Sequence, residues 1–144
     1  PHKRVISPHT LIYTGFRWHV RAYCHKRSDY RDFVLSRIQS PGFVTGEFVT
    51  NEADDLWHES VALSLVPNPN LSEDQKRLVE QDFCMVDGQL SIDVRKALAH
   101  YALQRYQAGI TEDDIKEPFK FPVVLASQSS HDIKPFLFNG DTSE

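Results

Sequence analysis

The chain has 144 residues, 40% of them hydrophobic, with two cysteines and a formal net charge of −4. That length allows one ordinary core or two small ones, and no apolar run approaches the roughly 20 residues of a membrane-spanning helix, so a soluble protein with no membrane partner is expected. Cys24 and Cys84, without metal or redox spacing, suggest a reducing, cytoplasmic compartment. Residues 1–37 hold eight Lys and Arg against two Asp, a net of +6, whereas residues 38–144 carry −10; this split fits one anion-binding lobe and argues against the whole chain lying along duplex DNA.

Strand-like residues begin almost at once, with Val5-Ile6-Ser7-Pro8-His9-Thr10-Leu11-Ile12-Tyr13, and Met85 is the sole methionine, the pattern of a fragment whose upstream part is missing. After a turn at Thr14-Gly15, residues 16–24 alternate with the period of two that sends successive side chains to opposite faces of a strand. Phe16, Trp18, Val20 and Ala22 fall on one face, read as core, while Arg17, His19, Arg21 and Tyr23 make a cationic, hydrogen-bonding surface on the other. In the next strand, residues 30–38, Phe33 and Leu35 share a face with Arg31 and Arg37. Arg21 and Arg31 are predicted to face a common anion site from adjacent strands, and alanine at either position should leave the domain folded because neither fills the core. Further turns at residues 25–29 and at Ser40-Pro41-Gly42, with a strand-like run over 61–66, make four or five short strands. This spacing favours a small barrel, since closure removes exposed edges. Residues 47–59 read as a loop or helical turn, with Asp54, Asp55 and Glu59 on an acidic surface and Trp57 as core or interface.

The period changes after Pro67-Asn68-Pro69-Asn70, a turn or hinge. Ser72 and Gln75 have capping-box spacing, and Leu78, Val79 and Phe83 form a helical stripe behind them. Asp87-Gly88 is a favoured two-residue hairpin turn. A second helix is predicted over 93–107, with Val94, Leu98, Tyr101 and Ala102 on one face and Gly109 as its stop. An acidic turn, one strand over 121–126 and a tail containing Pro and Gly complete the chain. The fold class expected is mostly β followed by α+β: a small β-barrel over 1–66 and an α+β extension over 67–144.

Three motifs in order, Ser7-Pro8-His9-Thr10-Leu11, Trp18-His19-Val20-Arg21-Ala22-Tyr23 and Arg31-Asp32-Phe33-Val34-Leu35-Ser36-Arg37-Ile38, resemble the pattern of WYL domains. These are Sm-like or SH3-like barrels of bacterial transcription regulators, usually behind a winged helix-turn-helix. The later Leu63-Ser64-Leu65-Val66-Pro67-Asn68-Pro69, with Leu71-Ser72-Glu73-Asp74-Gln75 and Val94-Arg95-Lys96-Ala97-Leu98, is similar to the extension that follows such domains, closest to dimeric repressors of phage-defence operons of the BREX and CBASS type. The naming triplet Trp-Tyr-Leu is here Trp18-His19-Val20, which exchanges a phenol for an imidazole at the position facing the presumed pocket. The resemblance implies a homodimeric ligand sensor that controls operator DNA binding by an N-terminal domain absent from this chain.

The residue chemistry points to a nucleotide or short nucleic-acid ligand. Arg21, Arg31 and Arg37 can form bidentate hydrogen bonds with phosphate. His9, His19 and Tyr23 supply polar contacts or stacking surfaces for a base, Ser7 a short hydrogen bond, and Arg17 lies on the same face as Arg21. His19, Cys24, His25 and His58 lack compact metal-ligand spacing, and no P-loop, dinucleotide loop or nucleophile elbow is present. No metal, cofactor or enzymatic turnover is expected. The rival reading is an Sm-like barrel that directly binds single-stranded RNA or DNA.

Overall fold

The computed structural model describes residues 2–40, 42–44 and 46–137, and the chain divides into two compact units between Asp55 and Leu56. Of the predicted turn at Ser40-Pro41-Gly42, Pro41 lies outside the described residues, as does the tail after Leu137.

The first unit is a three-stranded antiparallel sheet, β1 (Ile6–Tyr13), β2 (Trp18–Cys24) and β3 (Asp29–Val34), in the order β1-β2-β3. Gly15, at φ 105°, takes the left-handed position of the first turn, and Thr14 closes that turn by donating through its backbone N–H to Arg17 O at 3.1 Å. Pro8 has no N–H to give a ladder and lies on an edge strand, where its absence is tolerated. Directly after it the register shifts by one residue between Pro8 and Thr10, so His9 is an extra residue in β1. Such a bulge re-aims a side chain.

The described residues of this unit do not form the closed barrel expected. The predicted third strand ends at Val34 in a 3₁₀ turn, Leu35–Arg37, and no strand occurs among the described residues from 38 to 54. The run that was to supply a further strand is β4 (Ser60–Pro67), which pairs elsewhere: antiparallel with β5 (Leu90–Arg95) on one side and β6 (Val123–Leu125) on the other. The reason is a match of apolar sets. Leu63 pairs with Ile92 and Leu65 with both Leu90 and Leu125, joining the apolar residues of three strands in one layer.

Helices α2 (Glu73–Asp82), α3 (Ala99–Arg105) and α5 (Ser127–Leu137) contribute Val79, Ala99, Leu103, Ile133 and Leu137 to that core, in which Leu63, Ala99, Val123 and Ile133 are wholly buried. The Ser72–Gln75 capping box forms, with Gln75 N donating to Ser72 Oγ and Ser72 N to Gln75 Oε1. The Asp87-Gly88 turn forms too, both residues at positive φ and Val86 and Gln89 exchanging backbone hydrogen bonds. The second helix starts later than predicted. Leu90, Ile92 and Val94 alternate with exposed Ser91, Asp93 and Arg95 and are taken into β5, so the buried stripe of α3 is Ala99 and Leu103. Its end is marked by Gln107 at φ 50°, not by Gly109. Gly109 is needed for space: an added Cβ would meet Asp114, Val124 and Phe121 at 3.1–3.2 Å.

Pro67-Asn68-Pro69-Asn70 is pinned and not hinged. Asn68 is fully buried, and its Nδ2 donates to Ile115 O and Phe121 O while its Oδ1 accepts from Asn70 N. The short helix α1 (Asp55–His58) precedes β4, and α4 (Glu112–Ile115) is capped by Thr111. No helix among the described residues is long and apolar enough to cross a membrane.

Candidate functional site: a buried Arg21–Asp54–His9 cluster

The register of the first sheet decides which side chains can meet. Residues directly opposite share a face, so Ser7 opposite Tyr23, Arg21 opposite Asp32 and Tyr23 opposite Tyr30 put Ser7, Arg21, Tyr23, Tyr30 and Asp32 on one face. His19 joins them, opposite Ile12 and Val34. Arg31 is opposite Ala22, and Phe33 opposite Val20. Arg31 therefore stands on the other face from Arg21, correcting the expectation of a common site from these two. Period two carries no information about which residues of neighbouring strands align, and a one-residue offset reverses the face.

Of the face read as core, Val20 and Ala22 are buried as expected, but the environments of the other residues differ from prediction. Phe16 and Trp18, read as core, are 68% and 48% exposed, whereas His19 and Arg21 are 5% and 4% exposed. Trp18 sits at the last pair of the β1–β2 ladder, opposite Tyr13, and their rings lie 5.1 Å apart. The polar face is covered by residues 49–54. Val49 N donates to Ser7 Oγ at 3.0 Å, the Tyr30 hydroxyl donates to Thr50 O, and Asp54, 2% exposed, lies against Arg21.

Arg21 grips Asp54 with two parallel hydrogen bonds, Nε to Oδ2 at 2.6 Å and Nη2 to Oδ1 at 2.7 Å, and reaches Asp32 Oδ1 with Nη1 at 3.0 Å. The bulged His9 adds a contact from its Nε2 to Asp54 Oδ2 at 3.0 Å, while its Nδ1 lies 2.8 Å from Thr10 Oγ1. Beside this cluster Ser7 Oγ is 2.9 Å from His25 Nε2, and the Tyr23 ring packs edge-on against His25 and Tyr30 at 5.1 and 5.2 Å.

Burial raises the Asp54 carboxyl, yet the hydrogen bonds from Arg21 and His9 and their charges outweigh it and hold its pKa below the ordinary carboxylate value. Burial likewise pulls Arg21 down, and Asp54 and Asp32 more than restore it. A carboxylate depressed in the folded state contributes stability that is present above its unfolded pKa and lost as pH falls through the lower folded value. The Arg21–Asp54 pair is thus ionised throughout the neutral range. Burial first, then the charge on Asp54, pushes the Tyr30 phenol up, keeping it a donor to Thr50 O.

Of the eight predicted site residues, the structure brings Ser7, His9, His19, Arg21 and Tyr23 to one face. Arg31 is on the opposite face with its Nε on Asp29 Oδ1 at 2.8 Å. Arg17 is exposed, its guanidinium 5.1 Å over the Phe16 ring, and Arg37 is exposed in the 3₁₀ turn. The partners that sequence reasoning missed are Asp54, His25 and Tyr30, whereas Asp32 is the arginine partner that the sequence offers. Asp54 is the important one. It stands in the run Glu52-Ala53-Asp54-Asp55, which reads as a solvated acidic turn, and its partner Arg21 is 33 residues away, so no local spacing announces it.

Residues 1–41 match the WYL domain, and residues 60–131 match the BrxR transcriptional regulator, C-terminal dimerization domain. The chain belongs to the BrxR family of transcriptional regulators. Similar curated proteins carry the name DNA-binding transcriptional repressor CapW. The one from Pseudomonas aeruginosa is 37% identical over 135 residues, covering 94% of this chain and 44% of that protein. The one from Escherichia coli (strain KTE188) is 40% identical over 110 residues, 76% of this chain and 36% of its own length, and that from Stenotrophomonas maltophilia 41% over 105 residues, 72% and 35%. This BrxR-family chain spans less than half the length of these relatives. Its WYL match contains all of β1, β2 and β3, and its dimerization-domain match runs from the start of β4 into α5.

Proposed function

We propose that this chain is the ligand-sensing and dimerisation region of a transcriptional repressor. The three-stranded sheet is read as the framework of an Sm-like or SH3-like barrel, and its polar face, with Ser7, His9, Arg21 and Tyr23, as the site for a nucleotide-like or nucleic-acid-derived anion. Binding there controls a DNA-binding domain outside this chain, in an operon that the family resemblance places in phage defence. The observation that carries the reading is Arg21, a guanidinium only 4% exposed whose fork already holds an oxyanion, the Asp54 carboxylate. A planar fork of this kind fits phosphate as it fits carboxylate. The chemistry is recognition, with no bond made or broken. Control of a distant domain requires the ligand to bind two conformations with different affinity.

Titration with thymidine oligonucleotides of increasing length tests the site. Saturation at one ligand per chain with no further gain beyond a few nucleotides is expected. A second reading, direct binding of single strands, has its own observation: Tyr13, Phe16 and Trp18 are all exposed at one end of the sheet, with Arg17 beside them. Aromatic platforms of this kind stack successive bases without sequence preference. Affinity that keeps rising with strand length, with quenching of Trp18 fluorescence, would favour that reading.

The match to a dimerization domain supports a symmetric homodimer built through residues 60–131. Sedimentation velocity at micromolar concentration should show the dimer. A monomer at all concentrations up to that range counts against it.

A further inference from the structure

We propose that Asp54 is a built-in stand-in for the ligand's anionic group, so that an incoming phosphate takes over Arg21 and His9 and releases residues 47–54 from the sheet. The inference rests on the reading that this face of the sheet is the anion site, and adds that the site is closed by the chain itself.

The geometry leaves little alternative for an anion that uses Arg21. Its Nε and Nη2 are committed to Asp54 at 2.6 and 2.7 Å and its Nη1 to Asp32 at 3.0 Å, and His9 Nε2 is on the same Asp54 oxygen at 3.0 Å. An oxyanion seeking the Arg21 fork must replace one of these carboxylates. Asp54 is the replaceable one. Asp32 is fixed within β3, whereas Asp54 lies on a stretch with no strand pairing. Between 47 and 54, that stretch is held by Val49 N on Ser7 Oγ, the Tyr30 hydroxyl on Thr50 O, and Asp54 on Arg21 and His9. Ser7, His9 and Arg21 are themselves proposed ligand contacts, so a ligand competes for the same groups that keep the segment down.

The ligand class follows from the exchange. A carboxylate offers one negative charge and two oxygens. A terminal phosphate monoester offers more charge and three oxygens, enough to satisfy the Arg21 fork and His9 together. The edge-on cluster of Tyr23, His25 and Tyr30 beside it supplies aromatic surface for an attached nucleoside. A 5′-phosphorylated end of a short strand, or a mononucleotide, meets both requirements. Closure also lowers apparent affinity by the fraction of molecules in the open state.

The test uses 5′-phosphorylated tetrathymidylate as probe, with the wild-type chain, Asp54→Asn and Asp55→Asn. Asp55 is an exposed neighbour, so its amide removes the same charge without unlatching the segment. Asp54→Asn should bind the probe at least tenfold more tightly than wild type, and Asp55→Asn within about twofold of it. In wild type, amide hydrogen exchange over residues 47–54 should accelerate when the probe binds, where a ligand that merely covers the segment would slow it. That second measurement decides the matter if Asp54→Asn does not fold. Binding to wild type with slowed or unchanged exchange, or equal gains from both amide variants, overturns the latch and leaves the anion site standing. No binding by wild type, with Asp54→Asn binding no better or failing to fold, overturns the site and the latch together.

Discussion

Arg21→Ala should destabilise the first unit by about 3–5 kcal/mol, the cost of removing one partner from a buried ion pair and leaving the other charge uncompensated. Asp54 and Asp32 are 2% and 16% exposed in their side chains, so water is poorly placed to replace the guanidinium. A domain stable by 5–15 kcal/mol loses a large part of its margin in such a change. The sequence alone led to the opposite expectation, that alanine here leaves the fold intact. What reverses it is burial and not charge: Arg21 sits on a central strand with one face of the sheet covered over it. Urea unfolding of wild type, Arg21→Ala and the double variant Arg21→Ala, Asp54→Asn measures the effect. The double variant should recover part of the loss, because it removes a buried charge left without its partner. A single-variant loss below about 1 kcal/mol would show that the cluster is dispensable to folding. Arg31→Ala, on the opposite face and a quarter exposed, should cost no more than about 1 kcal/mol.

The contrast between these two arginines shows where the sequence stops speaking. Alternation in residues 16–24 identified β2 and its two faces, since period two is a local property. It did not say that the second, polar face is covered as well. His19, Val20, Arg21 and Ala22 are all buried, so β2 is a strand covered on both sides at its centre, and the covering segment of residues 49–54 has no periodicity to betray it. Asp54 was lost for the same reason. Its environment is made by residues 33 and 45 positions away, and in a run of acidic residues nothing local distinguishes a buried carboxylate from a solvated one.

Signals that concern neighbouring residues fared better. The Ser72–Gln75 box and the Asp87-Gly88 turn are satisfied by hydrogen bonds within a few residues, and both appear where the residue types place them. Strand pairing is the opposite case. The run at 61–66 was correctly strand-like, but its assignment to the first sheet failed because its partners, Leu90, Ile92 and Leu125, lie later in the chain. Val94, the β5 residue opposite Val61, was hidden in what reads as the start of a helix.

The same hidden layer makes α5 the place for the second large effect. Ser127–Leu137 reads from sequence as part of a tail containing Pro and Gly but forms a helix, with Pro135 inside it and only Ile133 and Leu137 as described apolar residues in register. Yet positions 129, 133 and 137 recur at the four-residue spacing of one helix face, and all three are buried. Ser129 Oγ accepts from Ser64 N at 3.1 Å, which ties the helix to β4, and Ile133 is wholly buried in the core with Leu63 and Leu103. Ile133→Ala removes methyl groups from a close-packed site and should cost about 2–5 kcal/mol, the spread reflecting how far the core collapses into the space. Ile133→Val should cost about 0.5–1.5 kcal/mol. Leu78→Ala, on the exposed side of α2 at 60% exposure, is the control and should stay within about 0.5 kcal/mol of wild type as long as that position is not in the dimer contact. Thermal and urea unfolding of the three variants gives the ranking. An Ile133→Ala protein no less stable than Leu78→Ala would mean that α5 is not part of the folded core, and the dimerization domain would then have to close over β4 by other means.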